Sequence, residues 1–129
     1  MDRTQLFQLL AIALGGALGA VLRFLLSTRV YAWLGRGFPY GTLAVNVLGS
    51  FLMGFLTIVL LERSMADPTW RAVILVGFLG AFTTFSTFSI ETLVLLEEGE
   101  MLRAGLNVSI SVVACLGAAW FGVVVGRQL

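Results

Sequence analysis

The sequence predicts an all-α integral membrane protein with four transmembrane helices, the third of them broken. Three observations lead there. First, 59% of the 129 residues are hydrophobic and only 12% are charged, where a soluble domain carries roughly twice that share of charge. Second, the few charges divide the chain into four long apolar runs. Third, five hydroxyl residues crowd into one of those runs, where lipid would otherwise call for hydrocarbon. Together they describe one transmembrane domain over residues 1–129.

A spanning helix needs roughly 20 mostly apolar residues. Residues 4–22 carry no charge, and apolar residues continue past Arg23 to Leu26. Residues 37–61 form the second uncharged run. The third covers residues 72–90, is interrupted by Glu91, and resumes over residues 92–96. The fourth covers residues 104–126. The connections, residues 29–39, 62–71 and 97–103, are short and hold most of the charges and both prolines. The first run is too long for the apolar core of a signal peptide and has no basic flank beyond Arg3, so no cleavable leader is expected.

Composition excludes several functions. All the basic residues are arginines, the net charge is +1, and no basic block exists, so a nucleic-acid partner is not expected. Without histidine, and with Cys115 as the lone cysteine, the chain has no ordinary zinc site, intramolecular disulfide or His-based catalytic triad. An enzyme is not expected, since no nucleophile–base pair is visible.

The arginines near helix ends, which set orientation, are almost evenly shared between the two sides. Arg3, Arg63, Arg71 and Arg127 fall on one side, and Arg29, Arg36 and Arg103 on the other, with Arg23 near the end of its helix. Either a separate feature fixes one orientation, or the chain inserts both ways and pairs as an antiparallel dimer. Small residues at four-residue spacing (Gly15 and Gly19; Ser50 and Gly54; Ala118, Gly122 and Gly126) allow close helix approach. They serve pairing within the chain or between two chains equally well.

Polar residues inside a bilayer face protein or water, because an unpaired group in hydrocarbon is costly. Thr42, Asn46 and Ser50 share one face of the second helix, and Asn107, Ser111 and Cys115 share one face of the fourth. Serine and threonine can satisfy themselves on their own helix. Asn46 cannot, since its carboxamide brings two donors and an acceptor. In the third run, Gly77 and Gly80 precede hydroxyls at Thr83, Thr84, Ser86, Thr87 and Ser89. Glycines and back-bonding hydroxyls weaken the helical ladder, so a mid-membrane break is expected here. Freed carbonyls at such a break suit a hard cation such as Na⁺. Phe78, Phe82, Phe85 and Phe88 make an aromatic stripe among these hydroxyls. Ring edges carry positive partial charge and can replace part of an anion's water shell. Arg23 is read either as a residue that snorkels to the interface or as an anion-attracting vestibule residue. Glu91 is read as capping its region against an arginine or facing a water-filled mouth.

Three segments in order, residues 15–24, 41–51 and 77–89, resemble the Fluc fluoride channels of the CrcB family, and the similarity extends over the whole chain. The last segment, with its Thr-Thr-Phe-Ser-Thr-Phe run, is the most specific. The resemblance implies a passive, fluoride-selective channel exporting the ion across the bacterial inner membrane. It implies an antiparallel dual-topology homodimer with two pores. The pore phenylalanines fall on Phe85 and Phe88, the pore asparagine on Asn46 and the vestibule arginine on Arg23. Further pore-associated polar positions fall on Thr42, Thr87 and Glu91. A polar track on the fourth helix falls on Asn107, Ser111 and Cys115. A structural Na⁺ at the dimer centre is implied, held by backbone carbonyls of Gly80 and Thr83. A small multidrug transporter, also a dimer of four-helix chains, relies on an embedded glutamate in its first helix, and residues 4–22 contain none. A non-transporting membrane subunit would use the polar stripes only to join helices.

Overall fold

The computed structural model describes the whole chain, residues 1–129. Four helices are long and apolar enough to cross a membrane: α1 (Arg3–Leu34), α2 (Tyr40–Arg63), α3 (Pro68–Glu97) and α4 (Met101–Gln128). No strand is present, and the chain is a multi-pass membrane protein. The helices extend several residues beyond the apolar runs. Charged residues such as Arg29 add further turns because arginine is a good helix former, and its head group reaches water from the helix end.

The boundaries follow from local chemistry. Asp2 caps α1: its Oδ1 accepts from Gln5 N at 2.8 Å, and Gln5 Oε1 accepts from Asp2 N at 3.1 Å. Gly35 at φ +82° and Gly99 at φ +77° end α1 and α3 in backbone conformations that residues with a Cβ rarely adopt. Asp67 accepts from Thr69 N and Pro68 sits at the first position of α3, both favourable at a helix start. The end of α2 (Ile58–Arg63) and the start of α3 (Ala72–Leu79) are wound as wider π-helical turns.

The small-residue faces are used within the chain. A Cβ added at Gly54 would collide with Ala119 O, and one added at Gly122 with Phe51 O. The α2–α4 pair therefore packs backbone to backbone, as lipid-embedded helices do when glycine permits. The α1–α3 pair is equally close, with an added Cβ 2.8 Å from Val73 O at Gly15 and 2.7 Å from Ile12 O at Gly77. Gly15, Gly19, Gly54, Gly122 and Gly126 are thus all close to backbone or side chain of another helix of the same chain.

α3 consists of two pieces, α3a (residues 68–82) and α3b (Phe85–Glu97), separated by Thr83 and Thr84 in extended conformation. The expected break is therefore present, after Gly80 and within the hydroxyl run. It also divides the aromatic stripe. Phe78 and Phe82 stack at 6.1 Å, with Leu22, Leu26 and Leu52 nearby, and form an apolar packing layer. Phe85 and Phe88 lie past the break and face elsewhere. The stripe expected from helical spacing is not continuous, because two extended residues reset the helical register between Phe82 and Phe85.

Candidate functional site

The site is built around the break. Thr83 N and Thr83 Oγ1 both donate to Leu79 O, at 3.0 and 2.9 Å. The next amide leaves the ladder: Thr84 N donates to Asn46 Oδ1 at 2.8 Å, while Asn46 Nδ2 donates to Thr84 O at 2.9 Å. One carboxamide on α2 thus satisfies both backbone groups of a buried residue that has no helical partners. Thr84 in turn caps α3b, accepting from Thr87 N at 3.1 Å and donating to Thr87 Oγ1 at 2.9 Å. The amide that would have reached Gly80 O is the one given to Asn46, and no backbone hydrogen bond reaches Thr83 O. These two carbonyls are chemically suited to a hard cation.

Beside the break lies a cavity of about 370 Å³. Asn46, Ser50, Thr83, Phe85, Phe88 and Ser111 contribute to its wall, and so does Cys115. The two rings sit 5.4 Å apart, tilted by 44°. Phe85 is 78% exposed in the single chain, so the cavity's aromatic wall stands open at the protein surface.

A second cavity of about 160 Å³ shares Thr84 with the first. Arg23, Ser27, Thr42 and Thr87 line it. No carboxylate lies within ion-pair distance of Arg23, so its charge is available to the hydroxyl-lined space. The structure thus places Arg23 beside Thr42 and Thr87.

Glu91 holds neither an arginine nor free solvent alone. Its Oε1 accepts from Thr42 Oγ1 at 2.6 Å and its Oε2 from Tyr31 OH at 2.9 Å. The expectation of an arginine cap is corrected: two hydroxyls from α1 and α2 reach the carboxylate first. Glu91 also lines a cavity of about 310 Å³ at the helix ends with Tyr31, Arg36 and Glu98. Arg36 rests over the Tyr31 ring, 4.6 Å from its centre.

On α4, Asn107 is almost fully buried. Its Nδ2 donates to Thr92 Oγ1 at 2.8 Å, and Thr92 donates to Phe88 O at 2.7 Å. Ser111 Oγ donates to Asn107 Oδ1 at 3.3 Å. Asn107 therefore braces α3b behind Phe88, and Ser111 reaches the cavity wall.

Comparison with known proteins bears on this arrangement. The family profile described as CrcB-like protein, Camphor Resistance (CrcB), matches residues 10–123. The chain belongs to the CrcB-like family. A relative from Methylococcus capsulatus named fluoride-specific ion channel FluC is 60% identical over 94% of this chain and 53% of its own length. The chain thus spans about half of that relative. A protein of the same name from Magnetococcus marinus is 56% identical over 95% of this chain and 99% of its own length. One from Hydrogenovibrio crunogenus is 49% identical over 99% of this chain and 97% of its own length.

In this CrcB-like chain the residues singled out from sequence fall into connected groups. Asn46, Phe85, Phe88 and Ser111 share the larger cavity, and Arg23, Thr42 and Thr87 the smaller. Glu91 joins the smaller one through Thr42. Asn107 lies behind the wall and enters neither cavity. Sequence reasoning missed Tyr31 and Thr92. Tyr31 is 60 positions from its partner Glu91, and no periodicity links them. The only available signal for Thr92 was its place one turn beyond Phe88 on the same helix.

Proposed function

We propose that the protein is a passive, fluoride-selective channel, not an enzyme, that exports fluoride across the bacterial inner membrane. The observation that carries this reading is the larger cavity, where a carboxamide, hydroxyls and two phenylalanine rings meet at a helix break with no lysine or histidine anywhere in the chain. Fluoride is small and strongly hydrated, so a path must offer many weak donors. A deep fixed positive charge would hold the ion instead of passing it on. The second Nδ2 proton of Asn46, the Ser50 hydroxyl and the edges of Phe85 and Phe88 suit that task, and Arg23 supplies attraction one cavity away. The names of relatives at 49–60% identity support fluoride as the ion.

The working unit in this reading is an antiparallel dual-topology homodimer with two pores. Phe85, exposed on the single chain, acquires its opposite wall from the second subunit, and the near-even arginine distribution lets the chain insert both ways. A structural Na⁺ sits at the dimer centre, held by Gly80 O and Thr83 O from each chain. Those carbonyls fit it, because the break has removed their helical donors.

The test is reconstitution into fluoride-loaded liposomes, with efflux followed by a fluoride-selective electrode. The reading requires fast fluoride release and no comparable chloride release. Release no faster than from protein-free liposomes overturns it.

A further inference from the structure

Thr42 Oγ1 occupies a singular place. It lines the cavity that holds Arg23 and Thr87, and it donates its one proton to Glu91, which lines the separate cavity at the helix ends. While that proton points at Glu91, Thr42 offers an anion in the Arg23 cavity only lone pairs. To donate to the anion it must turn away, leaving Glu91 Oε1 without its 2.6 Å partner. The cost of that turn depends on what else holds the carboxylate. Tyr31 OH does: it donates to Oε2 at 2.9 Å and lies 3.3 Å from Thr42 Oγ1.

Resting on the fluoride-channel reading, we propose that Tyr31 is a positioning residue for ion transfer: it keeps Glu91 bonded so that the Thr42 hydroxyl is free to turn toward a passing fluoride. Its ring is fixed for this role. Arg36 covers one face, and Gly41 lies so close to the ring edge that an added Cβ would collide with it. The hydroxyl is thereby aimed from α1 at Glu91 on α3b. Without it, Thr42 becomes the carboxylate's only side-chain donor, and its proton stays where it is. Hydrogen bonds to charged groups are strong enough for that change to matter.

The test uses Tyr31→Phe, which removes one oxygen and keeps the packed ring. In full-length protein reconstituted with fluoride, efflux is expected to fall about tenfold, the rate equivalent of one such bond, while elution as the wild-type oligomer is retained. The same substitution is then made in a Glu91→Gln background. Because Tyr31 acts through the carboxylate, it should there lower efflux little or not at all. Wild-type efflux from Tyr31→Phe overturns the proposal. So does an equal loss in both backgrounds, which assigns Tyr31 to helix packing alone. If Tyr31→Phe does not purify as the wild-type oligomer, Tyr31→Leu, which also has no hydrogen-bonding group and does not exceed the space of the ring, takes its place under the same two criteria. Absence of fluoride efflux from the wild type sinks the channel reading itself, a result distinct from failure of the variant comparison.

Discussion

Asn46 and the backbone of Thr84 exchange two hydrogen bonds of 2.9 and 2.8 Å across the α2–α3 interface. The pair makes the helix break tolerable inside a membrane, because each backbone group left without a partner in hydrocarbon is costly. It also fixes the start of α3b, and with it Phe85 and Phe88. Asn46→Leu leaves both Thr84 groups unpaired. The expected result is destabilisation of about 2–5 kcal/mol, seen as a lowered melting temperature in detergent, together with loss of fluoride efflux. Unchanged melting would show that the exchange does not hold the break.

The break separates two kinds of phenylalanine. Phe85→Ile and Phe88→Ile should each slow fluoride efflux at least about tenfold while the oligomer still forms. Phe82→Leu, in the apolar layer with Phe78, should cost about 1 kcal/mol of stability and leave efflux near wild type. Equal efflux in all three variants would reduce Phe85 and Phe88 to packing residues as well.

Much of this was legible in the sequence. The four spans follow from where the charges stand, and the break follows from Gly80 and the hydroxyl run, because both act locally on the helical ladder. The polar faces of α2 and α4 were legible because a single period governs each helix. What escaped was whatever crosses between helices. Glu91 was read as meeting an arginine or a water-filled mouth, and its carboxylate accepts from the hydroxyls of Tyr31 and Thr42. The four phenylalanines looked like one stripe because their spacing assumes an unbroken helix. The glycine faces specify close approach, and only the packed structure says which backbone approaches.

Glycine contact at the α2–α4 crossing gives a stability test independent of any ion. Gly122→Leu would drive its side chain into Phe51 O and the adjacent Phe55 amide. Overpacking of this kind costs about 1–3 kcal/mol or more, and loss of monodisperse protein on size exclusion is expected. Gly117, with nothing within 4 Å of an added Cβ, should accept alanine without effect.

The Na⁺ assignment can be checked by removal. Purification with Na⁺ replaced by a large organic cation should weaken the dimer, and restoring Na⁺ should recover it. A dimer equally stable in both conditions would show that Gly80 O and Thr83 O hold no structural cation.

Dual insertion predicts that a tag on the C-terminus of α4 is reached by membrane-impermeant reagents from both sides of the membrane, in comparable amounts. Labelling from one side only would end the antiparallel assignment.

The most direct test remains fluoride efflux from proteoliposomes containing the purified chain, read with a fluoride electrode beside a parallel chloride measurement. Rapid fluoride release with chloride retained is the predicted result. No release above protein-free liposomes, or equal release of the two anions, would contradict a path built from Asn46, Phe85, Phe88 and their hydroxyl neighbours.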